Sequence, residues 1–227
     1  AWGVACGFAG SARSLAGVRG KITGNPVRAD IEAIEAPEVR LQGREGPFKL
    51  LVFGGSLGAQ VLNETVPKAL SFFDPEKRPT VVHQCGARWV DSVAARYKEL
   101  GVKAQVVGFI DDMASAYRDS DLVICRAGAT SVAELCAAGA ASILVPLVVG
   151  TTSHQLGNAR YMQKNGAAIM VEQPQFTPEH LFGTLMTLKR EKILDMASHA
   201  RHLCRPHAAQ AVADMIEHVS DLKERPY

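Results

Sequence analysis

An α/β fold, with a parallel sheet covered by helices on both faces, is what this sequence predicts, and three observations predict it. From Lys49 onward, six short apolar runs alternate in order with helix-length segments. The runs are short and continuously apolar, which suits strands buried on both faces. Glycine turns follow several of them and open the next helix, the punctuation of strand-to-helix joints.

The elements follow in order. Lys49 to Gly55 (KLLVFGG) is the first strand, and a helix runs from about Gly58 to Leu70. Strand Thr80 to Gln84 leads to helix Ala87 to Leu100, and strand Ala104 to Phe109 to a short helix, Asp112 to Asp119. Strand Asp121 to Cys125 precedes helix Thr130 to Ala138, and strand Ser142 to Pro146 precedes helix Ser153 to Asn165. The sixth strand is Ala167 to Val171, followed by helices Pro178 to Leu188, Arg190 to Cys204 and His207 to Leu222. Before Lys49 the pattern is weaker. Asn25-Pro26 marks a turn, and Arg40 to Pro47 (RLQGREGP) is polar and glycine-rich, the composition of a surface loop.

Composition bounds the partners. Of 227 residues, 47% are hydrophobic and 21% charged, an ordinary globular mix. A formal net charge of +2 is too small to argue for nucleic acid. No run of 18 uncharged apolar residues exists to span a bilayer. The chain starts at Ala1 among small apolar residues without a basic flank, so a signal peptide is not expected, and a strand cut in its middle is. Five cysteines without a C-x-x-C pair suggest reduced thiols in a cytoplasmic protein. His199, His202 and Cys204 are better read as a basic helix surface than as a metal site, so no metal is expected.

Four strand ends carry candidate chemistry. In Gly54-Gly55-Ser56-Leu57-Gly58, glycines permit close approach of a ligand and the helix start offers free N–H groups, which suits a pyrophosphate. A tight turn with Ser56 as helix N-cap explains the same residues. Arg126-Ala127-Gly128-Ala129-Thr130-Ser131 is a second anion-friendly helix start. Glu134, one turn in, can accept hydrogen bonds from both ribose hydroxyls or merely complement the helix dipole. In Phe109-Ile110-Asp111-Asp112-Met113 the acids read better as a helix N-cap than as a metal pair. His154 and Gln155 can bond sugar hydroxyls or simply face solvent at a helix start. In open parallel sheets ligands sit outside the carboxyl ends of the strands, so these loops share one crevice.

Together with Thr23-Gly24-Asn25-Pro26-Val27-Arg28 and Asn158-Ala159, these motifs resemble, in order and spacing, the C-terminal domain of the MurG family of peptidoglycan UDP-GlcNAc transferases. The resemblance runs from about Ile22 to about Val219. It implies the GT-B architecture: two Rossmann-like domains with the active site between them, this chain supplying the donor-binding C-terminal one. It divides the chain into an N-terminal-domain remnant (1–22), an interdomain linker (23–48) and a UDP-sugar-binding domain (49–227) whose last helix can pack back on the absent domain.

The resemblance also implies roles. Arg28 lies near the uracil, Ser56 contacts the pyrophosphate, Ile110 offers backbone groups to the uracil and Met113 packs nearby. Ala129, Thr130 and Ser131 present main-chain N–H groups to phosphate and sugar. Glu134 holds the ribose hydroxyls, and Gln155, with His154 beside it, reads the GlcNAc. Ser153 stands where the family often has an acid, and Val148 to Thr152 lacks the expected charges. The implied reaction is inverting GlcNAc transfer from UDP-GlcNAc to lipid I, giving lipid II, with no cofactor and, lacking a D-x-D motif, no metal. The base, the lipid-acceptor site and a membrane-facing patch would belong to an N-terminal domain whose GGTGGH-like stretch does not occur here. The chain is therefore expected to be inactive alone, and the whole enzyme peripheral on the cytoplasmic face of the inner membrane. A donor-binding subunit of a split transferase, a non-catalytic UDP-sugar-binding module and a GT-B enzyme using another UDP-sugar remain the alternatives.

Overall fold

The computed structural model describes residues 3–8, 20–148 and 154–224, with side chains through residue 218. A short parallel pair, β1 (Val4–Cys6) and β2 (Gly20–Ile22), stands apart from the main sheet. Two four-residue helices follow, α1 (Ala29–Glu32) and α2 (Pro37–Arg40). The main sheet comprises β3 (Lys49–Phe53), β4 (Thr80–Gln84), β5 (Gln105–Val107), β6 (Leu122–Cys125), β7 (Ser142–Leu144) and β8 (Ala168–Met170). Between and after these strands lie α3 (Gln60–Ser71), α4 (Val90–Glu99), α5 (Met113–Asp119), α6 (Ala129–Ala138), α7 (His154–Lys164), α8 (Pro178–Thr187), α9 (Arg190–His202) and α10 (Ala208–Glu224).

All six main-sheet strands are parallel, in the order β5-β4-β3-β6-β7-β8. This is a doubly wound sheet whose winding reverses between β3 and β6. The pairing register aligns the strand ends in one row. Phe53 pairs with both Gln84 and Cys125, Gln84 with Val107, and Cys125 with Leu144. Every loop that leaves a carboxyl end therefore starts at the same height.

Successive side chains of each strand feed opposite faces. Leu50 and Val52 join Leu62, Val66, Leu70, Val93 and Tyr97 of α3 and α4 in one core. Leu51 and Phe53 join Tyr117, Val132, Leu135 and Met162 of α5, α6 and α7 in the other. Ile31 of α1 and nearby Ile34 are buried in this second core, so the segment ahead of β3 packs onto the domain.

Two local features depart from the sequence reading. Arg40 is buried, not at the start of a surface loop. Its guanidinium donates to the carbonyls of Ser120 (3.0 Å) and Gly139 (2.8 Å), and burial lowers its pKa to about 10. It thus satisfies the C-terminal end of α6, where Gly139 turns left-handed at φ +57°. The helix expected from Ala87 begins as a 3-10 turn, Ala87–Trp89, before α4. Inside α3, Pro67 has no N–H for the carbonyl of Asn63, and Arg96 donates to that oxygen instead, at 3.0 Å.

Candidate functional site

The crevice at the β3/β6 reversal is built first by backbone. Gly58 has φ +73°, and a Cβ there would collide with the carbonyl of Cys85, so the β3–α3 turn packs directly against the end of β4. Ser56 is exposed in this turn. It does not cap α3, because the N-cap is Ala59 and no side chain caps it. Gln84, buried between the neighbouring loops, donates through Nε2 to the carbonyls of Gly55 (3.1 Å) and Gly108 (2.9 Å).

Across the reversal, α6 opens at Gly128, again with no side-chain cap. Its first intrahelical bond is Val132 N–H to Gly128 O (2.9 Å), so the N–H groups of Ala129, Thr130 and Ser131 precede the helical ladder. These uncapped donors leave the positive end of the helix dipole open to an anion. The segment is pinned on three sides. Asn25 donates to the carbonyl of Ala129 (3.2 Å), Asn158 to that of Ala127 (3.0 Å), and Arg126 to Val145 O (3.0 Å) and Gln173 Oε1 (2.8 Å).

Glu134 is the sixth residue of α6, beyond the first turn, so complementing the helix dipole does not account for it. Its Oε2 accepts from the Tyr117 hydroxyl at 3.1 Å, and its Oε1 lies 3.7 Å from a guanidinium nitrogen of Arg28. Burial raises its pKa, while the Tyr117 hydrogen bond and the Arg28 charge oppose that rise. On α5, Asp112 is the N-cap, accepting from Ser115 N–H at 2.8 Å, as expected of this acidic pair. The Ser115 side chain first and its backbone N–H second lower the Asp112 pKa, with smaller contributions from the Arg118 and Arg28 charges. Ile110 and Met113 are half-buried against the second core, beside exposed Phe109.

At the β7 end, Gln155 Oε1 accepts from the backbone N–H of Leu147 at 2.9 Å, and His154 is exposed at the start of α7. Ser153 and residues 149–152, where the sequence departs from the family pattern, lie outside the described residues. The structure thus brings Arg28, Glu134 and the α6 start together, with Asp112 close to Arg28. Ser56 and the His154–Gln155 pair stand at other ends of the same strand row and, among the described residues, form no hydrogen bond or ion pair with that cluster. Four supporting residues escaped sequence reasoning, or entered it without a role: Asn25, Gln84, Tyr117 and Asn158. The one local signal was Gln84, a polar residue closing an apolar strand. A groove of about 660 Å³ runs instead along the β3–β5 face, and shares Phe109, Ile110 and Asp112 with the crevice.

Residues 49–219 match the model of the glycosyltransferase family 28 C-terminal domain. A protein of Aromatoleum aromaticum is 53% identical over 197 residues, 87% of this chain and 55% of its own length. One of Methylibium petroleiphilum is 53% identical over 216 residues, 94% of this chain and 59% of its own. Both are named UDP-N-acetylglucosamine–N-acetylmuramyl-(pentapeptide) pyrophosphoryl-undecaprenol N-acetylglucosamine transferase. The crystal structure of Acinetobacter baumannii MurG superposes with a TM-score of 0.76 at 38% identity, covering 82% of this chain and 54% of that one. The chain spans little more than half the length of these relatives. By the family model, the relatives and the doubly wound sheet together, this chain belongs to glycosyltransferase family 28, over the C-terminal domain of that family.

Proposed function

We propose that this chain binds UDP-N-acetylglucosamine as the donor-binding part of a transferase that moves GlcNAc to lipid I, the lipid-linked muramoyl-pentapeptide. The names of its relatives support the donor and the acceptor. The observation that carries the reading is the carboxylate of Glu134, held by Tyr117 beside the uncapped start of α6. A ribose offers its two hydroxyls to such an acceptor, and the adjacent N–H groups of Ala129 to Ser131 then meet the phosphates.

In this reading uracil lies by Arg28, Ile110 and Met113, and the pyrophosphate lies between Ser56 and the α6 start. The sugar lies by His154 and Gln155. The acceptor hydroxyl attacks the anomeric carbon, the bond to the diphosphate breaks, and negative charge grows on departing UDP. Uncapped helix N–H groups stabilise that charge without reorganising, since the backbone already points them there. The acceptor site, the base and any membrane association belong to the whole enzyme, peripheral on the cytoplasmic face of the inner membrane. Among the described residues, no helix is long and apolar enough to cross a membrane.

The test is calorimetric titration of the chain with UDP and UDP-GlcNAc, beside Glu134→Ala. Saturable binding is expected, and the variant should lose about 1–3 kcal/mol of it. No heat from the wild-type chain at roughly millimolar UDP rejects the site, and an unchanged variant removes Glu134 from it.

A further inference from the structure

Gln84 occupies a place that no motif assigned. It ends β4, paired to Phe53 on one side and Val107 on the other, and is 5% exposed. Its single amide nitrogen donates to Gly55 O at 3.1 Å and to Gly108 O at 2.9 Å. Those two carbonyls belong to different loops, one after β3 and one after β5. Both positions require glycine. Gly55 has φ +88°, and a Cβ at Gly108 would come within 2.9 Å of the Ala87 Cα.

A trans peptide points its C=O and the following N–H in opposite directions, and the described residues contain no cis peptide. Drawing the Gly55 carbonyl inward therefore turns the Ser56 N–H outward. Drawing the Gly108 carbonyl inward does the same for Phe109 N–H. Ser56 is exposed and Phe109 is 62% exposed. Neither amide finds an acceptor among the described residues. Gly55 O also accepts from Gly58 N–H at 2.9 Å, so both of its lone pairs are taken and its peptide plane is held.

We propose that Gln84 is a positioning residue that aims two backbone donors, Ser56 N–H and Phe109 N–H, into the crevice toward the donor nucleotide. This rests on the reading of the crevice as a UDP-sugar site. Gln84 touches no substrate; it acts through the two peptide planes. Its amide is what matters, because a carboxylate of the same shape would repel both carbonyls and release the planes.

Two measurements on the 227-residue chain decide it. The first follows the backbone amide resonances of Ser56 and Phe109 as UDP is added to the wild type. Both are expected to shift downfield on saturation, and overturning the proposal takes only that they stay still while other crevice amides move. The second compares UDP affinity in wild type, Gln84→Met and Gln84→Glu by calorimetry, with thermal unfolding alongside. Each variant is expected to lose about tenfold in affinity; Gln84→Met should melt close to wild type, and Gln84→Glu, whose buried carboxylate faces two carbonyls, should melt lower until it is protonated. The Gln84→Glu loss should shrink as the pH falls, because a protonated carboxyl regains one O–H donor for a carbonyl. A purely structural role for Gln84 would instead lower the melting temperature of Gln84→Met in step with its affinity. Affinity within about twofold of wild type in both variants would also overturn it. Absence of any UDP binding by the wild-type chain is a different failure, which rejects the site reading and this inference with it.

Discussion

The hydroxyl of Tyr117 and the carboxylate of Glu134 meet at 3.1 Å across α5 and α6, at the point where the winding of the sheet reverses. Tyr117 is fully buried, and its own pKa is raised well above the ordinary value, by burial first and the Glu134 charge second. It is therefore a fixed donor throughout the working pH range. It holds Oε2 and leaves Oε1 beside Arg28.

This arrangement predicts a pH dependence. Burial raises the Glu134 pKa, with nearby Asp30 adding to the rise and Tyr117 and Arg28 opposing it. Ribose hydroxyls donate best to the ionised carboxylate, so affinity for uridine, which has no phosphate to titrate, should fall as pH drops through the Glu134 pKa. Tyr117→Phe removes a hydrogen bond that favours the ionised form, so the pKa rises and the fall begins at higher pH. Uridine titrations across pH in both proteins check this. An unmoved midpoint in Tyr117→Phe would mean that the tyrosine does not tune the carboxylate.

The proposed site assigns sugar choice to Gln155. With Oε1 engaged by Leu147 N–H, its NH₂ group remains to donate. A site built around that donor should favour UDP-GlcNAc over its 4-hydroxyl epimer UDP-GalNAc by roughly 1–3 kcal/mol, since the wrong epimer leaves the amide unpaired. Gln155→Ala should erase most of that preference with UDP affinity nearly intact, and His154→Ala should do less. Competition binding of the three ligands decides the matter. Equal loss of all three would show that Gln155 only anchors the loop through Leu147.

A separate prediction concerns stability. His83 is completely buried in β4, with Nδ1 2.9 Å from the Tyr97 hydroxyl and Nε2 3.1 Å from Asn63 Oδ1. The Asn63 amide nitrogen donates to Cys85 O at 3.1 Å, so its Oδ1 must accept, which assigns the His83 proton to Nε2. Burial lowers the His83 pKa to about 4. The unfolded chain takes up that proton near pH ~6.5 and the folded chain resists it. Stability from this group is thus complete above the unfolded value and is lost as pH falls toward the folded one, up to about 3 kcal/mol. Urea unfolding as a function of pH should show this loss in the wild type. His83→Gln, which cannot titrate, should show a shallower dependence over the same window; an identical slope would place the acid sensitivity elsewhere.

Local pattern carried the order of the elements. Strand Thr80–Gln84 lies where its apolar run lies, residue for residue, and β3 stops at Phe53 because Gly54 must tuck beneath Ala59. α1 and α2 were not legible. A four-residue helix is barely one turn long, and Ile31 and Ile34 reveal their purpose only once α5 and α6 stand ready to cover them. Arg40 misled for the same reason: a polar, glycine-rich stretch looks solvated until the carbonyls of Ser120 and Gly139, distant in sequence, arrive around its guanidinium.

The sequence by itself determined that parallel strands would end in glycine turns opening helices, because strand burial and turn chemistry are written in runs of a few residues. It also determined which loops would gather, since the carboxyl ends of a parallel sheet share one edge. Only the tertiary structure decided which polar groups hold those loops in place. Gln84 reaches Gly55 and Gly108, Tyr117 reaches Glu134, and Asn25 reaches Ala129. The first two join elements set side by side by the strand order β5-β4-β3-β6, and the third joins the segment ahead of β3 to α6; a hydrogen bond of about 3 Å depends on such tertiary placement, which no local periodicity encodes.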